Sequence, residues 1–268
     1  MKKIVSLIVA VLLLVTCFAA CGGNAEQPNA NATAGADETQ VADSKFAGQT
    51  LTMGTNPAFP PYEMIDDNGT IIGIDADIAK AVADKLGMTL EIKDMEFKSL
   101  VPAVQSGTID IALAGMSVTE ERKESVDFTD TYATGIQVII VKEDSEIKSV
   151  EDLKDHLIGV QTGTTGDIYC TDEFGADFVK QFSNGSIATQ ALINGQIDCV
   201  VIDNEPAKNF VAANEGLKIL ETEYANEDYA AAISKDNPEL LEAVNGALKE
   251  LTEDGTIATI IARYINAD

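Results

Sequence analysis

Histidine and arginine are nearly missing from this chain of 268 residues: there is one histidine, His156, and two arginines, Arg122 and Arg263. Against 44 aspartates and glutamates stand 18 lysines and arginines, a net charge of −26. That balance excludes a nucleic-acid-binding surface, which needs a basic face. A small anion is not excluded, because one arginine in a cleft dominates the local field inside an acidic shell. A lone histidine and no cysteine pair at ligand spacing argue against a metal site, and no cofactor is expected. There is no G-x-S-x-G nucleophile elbow and no glycine-rich phosphate loop. Of the four cysteines, Cys17 and Cys21 lie near the N-terminus. Cys170 and Cys199 carry no framework signal and read as buried free thiols, a bridge between them being the alternative in an exported protein.

What is present begins with a leader. In "MKKIVSLIVAVLLLVTCFAACGG" Lys2 and Lys3 precede an apolar stretch, Ile4 to Val15, and small residues precede Cys21. The stretch is short for a membrane span and has the build of a signal peptide over residues 1–20. The ending "FAAC" resembles the bacterial lipobox, with Phe18 where leucine is usual, so Cys21 is the expected lipidation site. A retained membrane anchor or ordinary secretion is the alternative. Two acyl chains on one cysteine would suffice for stable anchoring. The next stretch, rich in Ala, Asn, Gly and Thr, has almost no large apolar residue and reads as a flexible tether over residues 21–45.

The remainder repeats a plan. "AVQSGTIDIALAG" (Ala103–Gly115) and "ALINGQIDCVVID" (Ala191–Asp203) each read as a helix end, a glycine, Ile-Asp and an apolar strand. Gly107 and Gly195 suit the left-handed position that stops a helix. The strands after them, Ile109–Leu113 and Ile197–Ile202, are uniformly apolar, as a buried parallel sheet requires. Upstream, "LTMGTNPAFPPYE" and "IGVQTGTTGD" each run from a strand into Gly-Thr and a polar turn. "DADIAKAVADKLG" between the partners has helical apolar spacing and a terminal glycine. Strands alternating with helices, twice over, predict two similar α/β lobes, the second smaller. The C-terminal segment starts helically at Asn237–Pro238, and Gly255 divides it into two amphipathic helices.

Ligands of such sheets bind beyond the carboxyl ends of the strands. Asn56, Gly115, Thr164 and Asp203 all fall at or just past strand ends, and Arg122 follows soon after Gly115. Arg122 is either a surface residue paired with Glu120, Glu121 or Glu124, or a guanidinium fork held ready for a carboxylate.

These pieces, with "FKSLVPAVQSGTIDIALAGMSVTEERKESVDFTDTY" and "LKELTEDGTIATIIARY", resemble in order and spacing the polar amino-acid-binding proteins of bacterial ABC importers, solute-binding family 3, nearest the glutamine-binding type. The resemblance runs from Phe46 to Ile265. It implies a type II periplasmic-binding-protein fold, α/β, with two lobes joined by two hinge strands near Tyr132–Ile136 and Ala225–Tyr229. Lobe one would comprise residues 46–132 plus 230–268, and lobe two residues 133–229 with the hinge strands. By resemblance Arg122 takes the ligand α-carboxylate and Asp203 the α-ammonium, with Gly115 and Ser117 completing the clamp. Thr164 and Thr165 reach the carboxylate from a helix N-terminus, and Phe59 and Phe97 sandwich the side chain. Plainer roles remain open: Asp203 or Thr164 as helix caps, the two phenylalanines as core.

Asn56 stands where several relatives have aspartate, and Gln161 where the glutamine-binding type has lysine. Both positions contact the ligand side chain in those relatives. Neutral amides at both favour a polar uncharged side chain, glutamine first, while Glu63 or Glu96 could reach a guanidinium. Arginine, lysine, histidine and cystine follow. The implied protein is a monomer on the outer face of the cytoplasmic membrane, extracellular or periplasmic, anchored through Cys21 and passing its amino acid to an ABC permease. A rival is a dehydratase-type enzyme on the same fold, using an acid and an arginine for proton chemistry. No histidine near any motif supports it. A receptor's sensing domain is a third reading, but no membrane or kinase segment follows the last helix.

Overall fold

The computed structural model describes residues 45–220 and 224–265. The leader, Cys21, the tether up to residue 44 and the terminal residues 266–268 lie outside the described residues. Lobe one opens with β1 (Thr50–Thr55) and a small antiparallel meander of β2 (Ala58–Phe59), β3 (Glu63–Ile65) and β4 (Ile71–Ile72). It continues through α1 (Ile74–Lys85), β5 (Thr89–Asp94), α2 (Phe97–Gln105), β6 (Ile111–Ala112), α3 (Glu120–Ser125) and β7 (Asp127–Phe128). The chain then crosses to lobe two. There follow β8 (Ala133–Lys142), β9 (Ile158–Gln161), α4 (Thr165–Phe174), β10 (Val179–Phe182), α5 (Gly185–Ile193), β11 (Cys199–Asp203), α6 (Asn204–Ala213), β12 (Leu217–Ile219) and β13 (Ala225–Tyr229). A second crossing returns to lobe one for β14 (Ala232–Ile233), α7 (Pro238–Glu253) and α8 (Thr256–Tyr264).

Two sheets organise the lobes, in the orders β5-β1-β6-β14-β7 and β10-β9-β11-β8-β12, with β13 also paired to β8. The two apolar strands read as parallel do pair so, β6 with β1 and β11 with β9, and each sheet also contains antiparallel pairs. β1 pairs in parallel with β5 and β6, and β9 with β10 and β11, but β14, β8, β12 and β13 pair antiparallel. The strands next to the crossings, β8 on entry to lobe two and β14 on return to lobe one, run against their parallel neighbours β11 and β6 and lie inside the sheets.

Local chemistry accounts for the element ends. Gly107 and Gly195 both have left-handed backbone, φ 69° and 70°, and stop α2 and α5 as a residue with a Cβ could not do at low cost. Asn237 caps α7 by accepting the Leu240 N–H at 3.2 Å, with Pro238 in the first turn. Lobe one buries Leu51, Met53, Ile78, Val82 and Ile111 against Val244, Leu248, Ile257 and Ile260 of the two C-terminal helices. Lobe two has an apolar layer on each face of its sheet. Cys170 and Cys199 lie buried as free thiols in one of them. Burial pushes the Cys170 thiol up to about 12, so it is a packing element and not a nucleophile.

Candidate functional site

The strand ends of both lobes converge on one cleft. From lobe one come Asn56, Phe59, Glu63, Phe97, Ala114, Gly115, Ser117 and Arg122; from lobe two and the hinge strands come Gln137, Gln161, Thr164, Thr165, Val201, Ile202, Asp203 and Tyr229. All ten residues singled out in the sequence lie on this lining. Glu96 does not: it is exposed at the start of α2, whereas Glu63 is buried.

Arg122 belongs to the short helix α3, capped by the Thr119 hydroxyl accepting its own N–H at 3.1 Å. The cap turns the side chain inward, and only 9% of the residue is exposed. It forms no ion pair with Glu120, Glu121 or Glu124; Glu120 pairs with Lys123 instead. Nη1 donates to Ser117 O at 2.7 Å and Nη2 to Gly163 O at 3.1 Å, so the guanidinium spans both lobes. Its Cζ lies over the Phe97 ring, 5.3 Å from the ring centre. Of five donors, the two carbonyls leave enough for a bidentate carboxylate. Burial lowers the guanidinium pKa and the nearby Glu227 opposes that shift.

Opposite, Asp203 ends β11 at the N-cap position of α6, yet its side chain makes no capping bond. It turns into the cleft instead, where Oδ2 accepts from the Tyr229 hydroxyl and Oδ1 has no donor. Burial raises its pKa to about 7. An unpaired carboxylate oxygen in so dry a place is costly unless a cation arrives. Gly135 on β8 makes the arrangement feasible, since a Cβ there would collide with the Asp203 carboxylate and the Tyr229 hydroxyl.

Thr164 is the N-cap of α4: its Oγ1 donates to Gln161 O at 2.8 Å and accepts the Asp167 N–H at 3.3 Å. The hydroxyl is thus committed to the cap. What α4 offers the cleft is the first-turn N–H groups at Thr165 and Gly166, which a helix cannot satisfy internally, and its positive dipole end.

Asn56 and Gln161 meet one another across the cleft. Asn56 Nδ2 donates to Met95 O at 3.0 Å, which aims Oδ1 at lobe two, where Gln161 Nε2 donates to it at 3.0 Å. Phe59 stacks on Tyr62 with centroids 5.8 Å apart and touches the apolar residues of both lobes. With the bond from Arg122 to Gly163, these contacts join the two lobes across the cleft.

Glu227 and Tyr229 on β13, and Gln137 on β8, were not read from the sequence. Glu227 Oε2 accepts from Ser117 Oγ at 2.8 Å and Gln137 Nε2 at 3.1 Å. The signal was alternation: in "ANEDY" the second hinge strand buries Glu227 and Tyr229 and exposes Asn226 and Asp228. A buried acid two residues from a buried tyrosine marks one face of a strand turned to a polar site.

The sequence profile of bacterial extracellular solute-binding proteins, family 3, matches residues 51–267. The ABC transporter glutamine-binding protein GlnH of Bacillus subtilis is 32% identical over 279 aligned positions, covering 100% of this chain and 99% of that protein. An ancestral arginine-binding protein solved with bound glutamine is 44% identical with a TM-score of 0.78, covering 81% of this chain and 98% of that one. The arginine-, lysine-, histidine-binding protein ArtJ of Geobacillus stearothermophilus is 34% identical with a TM-score of 0.78, over 82% and 96% of the two chains.

Proposed function

The chain belongs to the bacterial extracellular solute-binding proteins, family 3, and from that premise we propose that it captures a polar L-amino acid between its lobes and delivers it to an ABC permease. One observation carries the reading: Arg122 and Asp203, opposite in charge and both buried, face one cavity from opposite lobes. A zwitterion taken out of water needs each charge answered by an opposite charge and hydrogen bonds. Arg122 with the α4 N-terminus answers the carboxylate, Asp203 the ammonium, and Gly115 and Ser117 line the clamp between them. The ligand thereby bridges the lobes and favours the closed form.

The paired amides Asn56 and Gln161 and the flanking Phe59 and Phe97 suit glutamine. Glu63 supports a second reading, arginine, because it brings a carboxyl to the same lining. A thermal-shift screen of all common L-amino acids tests the proposal. A ligand that binds only the folded chain raises its melting temperature, by about 2.7 kcal/mol of stabilisation at a hundred times Kd. Glutamine, arginine, or both are the expected hits. No shift with any amino acid would remove the reading. The relatives are named as binding proteins, which supports a binder over an enzyme; the ligand should be recovered chemically unchanged after incubation.

The leader ending in "FAAC" supports attachment to the outer face of the cytoplasmic membrane through lipid on Cys21, with the protein acting as a monomer. Cys21→Ser is expected to move the protein from the membrane fraction to the soluble fraction. Continued membrane association would mean that the apolar leader itself is the anchor.

A further inference from the structure

β3 and α1 bring two carboxyl groups together at the wall of the cleft. Glu63 is 1% exposed and Asp75 0%. Asp75 Oδ2 accepts from the Gly115 N–H and from the Tyr132 hydroxyl, each at 2.8 Å. Asp75 Oδ1 and Glu63 Oε2 are both buried with no hydrogen-bond partner, and the Asp75 N–H donates to Tyr62 O at 2.9 Å, which sets α1 against the strand that carries Glu63. Ionised carboxylates only accept, so two buried acids with unpartnered oxygens and no cation between them are eased by keeping one proton on the pair. Burial, then the charge of Asp75, holds the Glu63 acid well above the usual carboxylate range. Asp75, raised by burial to about 6, is held down by the Gly115 N–H, the Tyr132 hydroxyl and Glu63. The Gly115 N–H and the Tyr132 hydroxyl both donate to Asp75, which favours the charge on Asp75 and the proton on Glu63.

The other titratable groups facing the pair are Tyr62, beside Glu63, and Tyr132, at the first crossing. Asp203, Tyr229 and Arg122 share the cleft lining with Glu63, and Glu227 lies beside Ser117 there. Neither Glu63 nor Asp75 has a basic partner among the described residues. The acids outnumber the arginine, which favours keeping the shared proton until a cation enters. Glu63 alone of the pair lies on the cleft lining.

We propose that the proton shared by Glu63 and Asp75 sets which ligand side chains the cleft accepts, being kept for a neutral amide and expelled for a cation. The inference rests on the reading that the cleft takes an amino acid. A glutamine side chain meets Glu63 as a neutral carboxyl, with one donor and one acceptor for the amide. An arginine side chain meets it as a carboxylate: the Glu63 O–H bond breaks, its electron pair stays on oxygen, the proton passes to solvent, and the guanidinium replaces it. Preference for arginine over glutamine then rises with pH, by up to about tenfold per pH unit while the pair still holds its proton, and levels off above. Asp203 meets the α-ammonium of both ligands, so its own titration cancels from the ratio.

Titration calorimetry with L-arginine and L-glutamine, from about pH 5.5 to 8.5 in two buffers of different ionisation enthalpy, tests this. The glutamine-to-arginine Kd ratio should climb with pH, and arginine should release about one proton more than glutamine. In Glu63→Gln, which has no proton to give, the ratio should stay constant with pH. A constant ratio with equal proton counts in the unaltered protein overturns the inference while leaving the amino-acid reading intact. So does a ratio that still climbs in Glu63→Gln, or binding of only one of the two ligands at every pH. Failure of every amino acid to bind would overturn both.

Discussion

Arg122→Lys is expected to weaken binding of the best ligand by ~30- to 1,000-fold, roughly 2–4 kcal/mol, while the chain stays folded. The guanidinium does three things from one plane. It donates to Ser117 O at 2.7 Å and to Gly163 O at 3.1 Å, and it leaves further N–H groups for a carboxylate. An ammonium keeps the charge but is a single point on a flexible stem. It cannot hold a carbonyl of each lobe and present a fork at once. The cation–π contact of the guanidinium with Phe97 is lost as well. Calorimetry on the variant, with circular dichroism to verify the fold, decides the matter. Affinity within a few-fold of the original would mean that the ligand carboxylate is held by α4 alone.

Asp203→Asn is expected to abolish measurable binding and, at the same time, to make the protein more stable above neutral pH. The buried carboxyl rises from an ordinary 3.8 to about 7, chiefly through desolvation. A raised carboxyl favours folding only while it holds its proton. Its contribution is present in full below about pH 4, declines through the interval between the two values, and is gone above about pH 7. The span corresponds to roughly 4 kcal/mol. Asparagine keeps an oxygen for the Tyr229 hydroxyl and carries no charge to desolvate. Thermal unfolding at about pH 8 should place the variant higher by several degrees, with the difference shrinking toward about pH 5. Equal melting temperatures at both pH values would show that Asp203 is solvated in the folded protein. The unaltered protein should also lose affinity by up to about tenfold per unit as pH falls below about 7, because a protonated Asp203 cannot pair with an ammonium. A binding group that destabilises its own fold is a recurrent property of functional sites.

What could be read in advance was whatever the chain states locally. Gly107, Gly195, Pro238 and Gly255 mark helix ends by backbone chemistry that acts within a few residues, and the doubled Gly-x-Ile-Asp pattern carries the two-lobed plan. Arg122 stood out because the chain otherwise uses lysine. Pairings across long stretches of sequence were not legible. Nothing near Ser117 announces Glu227, and nothing near Asp203 announces Tyr229; only the return of the chain through β13 brings them together. Asn56 and Gln161 were read separately, as two neutral groups awaiting a ligand. The structure shows the amides bonded to each other. Glu63 was weighed only as a distant partner for a guanidinium, since its neighbour Asp75 reads locally as part of an amphipathic helix. In each case the missing information was a long-range contact, which a local pattern does not encode.

The two crossings between the lobes are not independent threads. β8 and β13 run side by side in five consecutive register pairs, from Tyr229↔Ala133 to Ala225↔Gln137. Two separate linkers would act as a loose tether, free to bend, twist and slide. A hydrogen-bonded ribbon is a plate: compliant to flexing across its face, stiff to shearing along its length and to stretching. Relative motion of the lobes is thereby confined to something near a single rotation. Under the proposed capture between the lobes, closing on a ligand would freeze one coordinate instead of six, which keeps the entropic cost small. It would also make the motion repeatable, since every ligand that drew Asp203 toward Arg122 would draw the lobes along the same arc.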